Sequence, residues 1–227
     1  LPKRTRNGGH RPAVSQKDAR RWWSALMERD GISQKALQIL MLTASRGKEI
    51  RKMAWGQLEI FDDRTQQKNG YAGIWRRDVE IMKMRTRHEV PLTHYMLGVI
   101  KSTGTSNGLV FPSPQSGKML SENALNKMMK DMHYADPQGG FFDIWSKKRA
   151  VSHGLRSTFR DWAGEHGLAH EVAEIQMSHK IGDAAQQAYF RTQLLKKRAN
   201  ASDDFLIFLQ TPEGSKDPTN ESEGVGK

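Results

Sequence analysis

The sequence predicts a mainly α-helical domain with a small antiparallel β-sheet inserted in it. Three observations point there. Apolar residues recur at helical spacing through the first quarter of the chain and again from Ser152 onward. Short β-favouring runs cluster between these blocks, at LEIF, GIWRRDVEIMKM and HEVPL. Of the 227 residues, 37% are hydrophobic, which suffices for a single core.

The elements follow in order. The opening stretch, residues 1–14, is basic and contains Gly and Pro but no apolar h-region. It reads as an interdomain linker and not as a signal peptide. Ser15 is placed to cap a helix over residues 15–30, which Gly31 stops, and Ser33 to cap a second, QKALQILMLTAS, apolar enough to be buried. A helical turn or two is expected from residue 47 to 55, with Ile50, Met53 and Ala54 facing inward. The three strands come next, the first two separated by the polar stretch DDRTQQKNG. Helical patterning resumes over residues 93–101, and a Gly/Ser/Pro-rich connection leads to Ser121, where the helix ENALNKMMKDMHY opens. DPQGG is a loop.

From Ser152 the segments HGLRSTFRDWAGEHG, HEVAEIQMSH, DAAQQAYF and TQLLKKRANASDDFLIFLQ all read as helix. The domain is therefore expected over residues 15–210, with residues 211–227 a disordered polar tail. The apolar run Phe205-Leu206-Ile207-Phe208-Leu209 either packs on its own core or docks on a neighbouring subunit.

Charge narrows the partner. Lys and Arg number 36 against 25 Asp and Glu, a formal charge of +11, and the sequence pI is near 9.9. Such a surplus favours a polyanion, since each neutralised phosphate releases condensed counterions. Ribosomal and membrane-surface proteins share it. A mean hydropathy of -0.72 and the absence of any apolar run near ~18 residues argue against a membrane span. Cysteine is absent, which removes disulfides and thiolate chemistry and fits a reducing, cytoplasmic setting.

Candidate chemistry comes from scattered residues. His153 and Arg156, three apart, share a helix face and suit a phosphate: Arg offers a planar fork, and His donates or moves a proton. Alone, the pair reads first as an ordinary N-terminal helix His and an Arg in a surface ion pair with Asp161 or Glu165. Arg46 sits at a helix break before Gly47, with Glu49 able to orient it. Lys83 stands near a hairpin turn as a mobile cation, and His179 precedes Tyr189 by ten residues. His166 and His170 have an i, i+4 spacing compatible with zinc. No third ligand at metal spacing accompanies them and HExxH is missing, so neither metal nor cofactor is expected. Taken together, the set matches phosphodiester transesterification: two Arg groups for charge on the non-bridging oxygens, acid and base groups for two proton transfers, and a phenol nucleophile.

The order Arg46, Lys83, His153-x-x-Arg156, His179, Tyr189 resembles the catalytic domain of the tyrosine recombinases, specifically the integrases of bacteriophages and genomic islands. The resemblance runs from about residue 32 to 195. It is tightest in LTASRGKEIRKMAW, MKMRTRHEVPLT, HGLRSTFRDWAGEHG and EIQMSHKIGDAAQQAYFR. It implies the tyrosine-recombinase catalytic fold and a residue-by-residue assignment. Arg46 and Arg156 would clamp the scissile phosphate, and Lys83 would protonate the leaving 5′-hydroxyl. His153 would act as base or phosphate contact. His179 would hydrogen-bond the phosphate and help place the tyrosine, and Tyr189 would form a 3′-phosphotyrosyl intermediate. Glu49 would support Arg46, and His88 would lie on the hairpin after Lys83.

The resemblance further implies double-stranded DNA attachment sites as partner and a homo-tetramer on DNA in the full-length protein. Accessory DNA-bending or excision proteins and a bacterial, nucleoid-associated location also follow from it. On this view the chain is a catalytic fragment whose DNA-clamping companion domains lie elsewhere. Type IB topoisomerase-like relaxation, a catalytically silent DNA-binding module and a metal-dependent nuclease are the alternatives.

Overall fold

Helix α1 (Gln16–Met27) starts where a local cap dictates: the Ser15 hydroxyl accepts the Asp18 N–H at 3.2 Å. The computed structural model describes residues 11–77, 88–121, 123–179, 194–215 and 219. Helix α2 (Ile32–Thr43) begins one residue ahead of the expected cap. Gly31, at φ 95, is its N-cap, and this left-handed backbone brings Ser33 into the first turn. Residues 36–43 of α2 are buried on every side, as a helix apolar all round requires. It is the axle on which α1 and most later helices pack. The expected turns after residue 47 form α3 (Gly47–Arg51). Ile50 and Met53 are fully buried there, while Ala54 is only partly so.

Strands β1 (Leu58–Ile60), β2 (Gly73–Arg77) and β3 (His88–Leu92) form one antiparallel sheet in that order. In its register Trp75 faces Val90 and Arg77 faces His88. The polar stretch between the first two strands is a helix, α4 (Asp63–Asn69). Asp62 caps it by accepting the Thr65 N–H at 2.8 Å, Gly70 ends it, and no residue of it is buried. Its sequence has no apolar face, so periodicity cannot reveal it; only the Asp-to-Gly bracket does.

Helix α5 (His94–Lys101) is capped by Thr93. Helix α6 (Ala124–Ala135) starts three residues after Ser121, whose carbonyl receives the Ala124 N–H. A 3-10 turn, Ser152–Gly154, leads into α7 (Leu155–Glu165), followed by α8 (His170–Gln176) and α9 (Leu195–Gln210). Phe205 and Phe208 of α9 are buried against α7. Phe205 lies edge-on to Phe159 at 5.4 Å and 4.8 Å from Trp162. The apolar run of α9 therefore packs on its own domain, with Ile207 alone among its five residues exposed. No helix among the described residues is long and apolar enough to cross a membrane.

Folded packing reaches back into the basic opening stretch. Ala13 and Val14 are buried, and Ala13 N–H donates to Asp143 at 3.1 Å. The Pro12 carbonyl accepts Val151 N–H at 3.0 Å. It passes so close to Gly154 that a side-chain carbon there would overlap it. Gly154 is thus glycine for want of space. Gly154→Ala is expected to lower unfolding free energy by about 1–3 kcal/mol, the usual range for overpacking, measured by urea titration.

Candidate functional site

The site grows from the end of α2. Ala44 adopts a left-handed conformation, φ 48, that ends the helix and turns the chain so that Arg46 becomes the N-cap of α3. Glu49, in the first turn, folds back. Its carboxylate accepts the Arg46 N–H at 2.8 Å and the Arg46 guanidinium at 3.0 Å. The same carboxylate accepts Arg77 Nη1 from β2 at 2.6 Å. Arg77 is 1% exposed and also donates to Ser45 Oγ at 3.0 Å and Ser178 Oγ at 3.2 Å. Burial alone would raise the Glu49 pKa; the Arg77 charge and the bonds from Arg46 outweigh it and hold Glu49 below 4.5.

The second wall comes from α7 and α8. Arg156, in the first turn of α7, donates from Nη1 to the Ala44 carbonyl and from Nη2 to the Met177 carbonyl at 2.7 Å. Helix α8 ends in a Schellman motif: His179 N–H reaches the Glu174 carbonyl, Ser178 N–H reaches that of Ile175, and Ser178 sits at φ 55. The left-handed serine sends His179 toward Arg156, whose Nη2 lies 3.3 Å from His179 Nε2. His179 Nδ1 is 2.9 Å from Glu174 Oε2, and Glu174 is ion-paired with Arg160. Arg46, His153, Arg156, Arg160, Met177 and His179 thereby line one open recess of about 380 Å³. A larger recess of about 620 Å³ shares only Arg160 with it and is walled by Val14, Ile144 and Trp145 among others.

The recess is electropositive. Burial, then the Arg46 charge, lowers Arg156 to about 10 against the pull of Glu49. Burial, then Arg156, Arg46 and Arg160, lowers His179 to about 4. His153 is lowered below 6.5 chiefly by burial and then by Arg156. Both imidazoles are thus neutral at pH 7, among guanidiniums carrying more charge than Glu49 balances. A tetrahedral oxyanion is the ligand this arrangement suits: fixed planar forks for its oxygens, and imidazoles whose proton affinity rises as the anion cancels the surrounding charge.

Of the residues singled out by sequence, Arg46, His153, Arg156 and His179 meet in this recess. Lys83 and Tyr189 lie outside the described residues, as does the segment DAAQQAYF. Glu49 contacts Arg46 as expected from its spacing. His88 begins β3, buried, with Nε2 3.2 Å from Arg198 Nη2, and does not line the recess. His166 Nδ1 is 2.9 Å from the Trp162 carbonyl and its ring stacks on Trp162, a helix-end packing role.

Sequence reasoning missed Arg77, Arg160 and Glu174. Arg77 carried a signal: strand alternation puts it on the face of Gly73 and Trp75, where a charge is buried and requires a partner.

The fold resembles that of the XerH site-specific recombinase in its pre-cleavage complex with difH substrate. The TM-score is 0.54 at 12% identity, over 79% of this chain and 54% of that one. Residues 13–213 match the phage integrase family, and the chain belongs to that family. It is 26% identical over 207 residues to prophage integrase IntZ of Escherichia coli K12, covering 89% of this chain and 46% of that protein. It is 27% identical over 172 residues to the integrase of Shigella phage Sf6, covering 74% and 39%. The chain thus spans less than half the length of these curated relatives.

Three outcomes follow from the site. In an NMR pH titration of the free protein, His179 is expected to titrate near 4 and His153 below 6.5. Arg77→Met is expected to cost about 3–5 kcal/mol by breaking a buried ion pair. Because the folded Glu49 pKa is depressed, its stabilising contribution is full above 4.5 and is lost as pH falls through the folded value. Glu49→Gln should therefore flatten the acid limb of stability against pH.

Proposed function

We propose that this chain is the catalytic portion of a site-specific DNA recombinase, an integrase that cuts and rejoins DNA through a 3′-phosphotyrosine intermediate on Tyr189. The observation that carries the proposal is the convergence of Arg46, His153, Arg156 and His179, from three separate places in the sequence, on one electropositive recess. Membership of the phage integrase family supports it, as do the prophage integrases among its relatives and the likeness to a recombinase solved on its DNA substrate.

In this mechanism the scissile phosphate occupies the recess. Arg46 and Arg156 bind its non-bridging oxygens and stabilise the charge that accumulates as the Tyr189 oxygen attacks phosphorus. His153 takes the phenolic proton or contacts the phosphate, and Lys83 gives a proton to the departing 5′-oxygen. Attack by the 5′-hydroxyl of a partner strand reverses these steps and releases Tyr189. Glu49 keeps Arg46 aimed, and the left-handed turn at Ala44 places a carbonyl that anchors Arg156. The substrate is duplex DNA carrying attachment sites of a phage or genomic island. The full-length protein assembles as a tetramer on DNA in the bacterial cytoplasm, with DNA-bending or excision proteins as accessories.

The test is covalent capture on nicked duplexes carrying candidate element ends. A protein–DNA adduct that forms in EDTA, disappears in Tyr189→Phe and falls about 100-fold or more in Arg46→Ala or Arg156→Ala is the expected result. Cleavage that requires magnesium, or an adduct persisting in the Phe variant, would refute it.

A further inference from the structure

His179 is gripped at three points. Its backbone N–H reaches the Glu174 carbonyl at 2.9 Å, its Nδ1 lies 2.9 Å from the Glu174 carboxylate, and its Nε2 lies 3.3 Å from Arg156 Nη2. Arginine can only donate, so Nε2 must be the acceptor in this state, and the ring proton resides on Nδ1, where it meets the carboxylate. Glu174 is held in turn by Arg160, one turn along α7 from Arg156 and itself on the wall of the recess. The side chain of Glu174 is 12% exposed, so its carboxylate is shielded from competing water.

We propose that Glu174, braced by Arg160, is the positioning residue of His179: it fixes the Nδ1–H tautomer so that Nε2 is the nitrogen turned to the phosphate. The consequence for the reaction rests on the recombinase function above, whereas the tautomer does not. In the free protein the ring is faced by Arg156 and Arg160 from α7, by Arg46 ahead of α3 and by Glu174 from α8. Burial, and after it three cations against one anion, keep it neutral. A phosphodiester entering the recess brings negative charge to the Nε2 side. Nε2 then takes a proton from solvent and donates it as a hydrogen bond to a non-bridging oxygen, while Glu174 stabilises the imidazolium through Nδ1–H. The pairing is that of a carboxylate behind a working histidine, and it lies five residues upstream in sequence, one helical turn plus the Schellman bend.

Long-range 1H–15N NMR of the ring nitrogens at neutral pH, with the resonances assigned by their loss in His179→Asn, tests the tautomer without any activity. The wild type is expected to show Nδ1–H. Glu174→Gln should keep it, because the amide oxygen accepts the same bond, and Glu174→Ala should lose it. On nicked DNA, Glu174→Ala is expected to slow adduct formation roughly 10–100-fold, the cost usual for removing a carboxylate behind a working histidine, with DNA affinity held within about twofold. In Glu174→Gln the bound-state His179 pKa falls, so the alkaline loss of activity should move to lower pH. An Nε2–H ring in the wild type, an unchanged tautomer in Glu174→Ala, or a rate loss matched by an equal loss of DNA affinity would overturn the proposal. Absence of any adduct in the wild type would refute the recombinase function and leave the tautomer result to decide the role of Glu174.

Discussion

The Glu49 carboxylate, wedged between Arg46 and Arg77, joins the sheet to the helices at the point where the recess opens. A buried carboxylate cannot persist without partners, and a buried guanidinium cannot either, so neither side chain has another place to go. Net stability gained from such a pair is small, because desolvation cancels most of the attraction. What the pair supplies is geometry. Through Ser45 and Ser178, Arg77 also ties the end of α2 to the end of α8, the two bends that carry Arg46 and His179. Arg156 then spans the same two bends through the carbonyls of Ala44 and Met177. Two buried arginines, one beneath the recess and one in its wall, thus clasp the same pair of turns.

A comparable knot lies behind it. Arg198 of α9 is fully buried and bonds Gln176 Oε1, the Glu89 carbonyl and His88 Nε2, holding α8, β3 and α9 together. Burial, then the Arg198 charge, depresses His88 far below 6.5, which keeps it a neutral acceptor. The chain around residues 78–87 departs from Arg77 and returns at His88. The chain around residues 180–193 departs from His179 and returns at Leu194, one turn ahead of Arg198. Of the described residues that flank Lys83 and Tyr189 in sequence, Arg77 and His88 are thus held in these two buried clusters and His179 lines the recess.

How much of this was legible depended on the range of the interaction. A cap that acts within three residues, Ser15, could be read directly, and so could the strands and the buried run of α2. Helix α4 escaped because it buries nothing and so leaves no periodic trace. The cationic half of the site emerged only from the ensemble of spacings, since each member alone has an ordinary surface explanation. Glu174 and Arg160 were invisible: an acid and a base on neighbouring helices become a pair only once the helices pack, and the Schellman bend then brings His179 to the same carboxylate.

The contact between Pro12 and Gly154 has a mechanical meaning. The backbone at Pro12 is bonded to Val151 and fills the space beside Gly154, directly next to His153. From Pro12 to Val14 the backbone is therefore part of the folded packing and not a slack tether. A displacement of Pro12 is delivered first to the turn that presents His153.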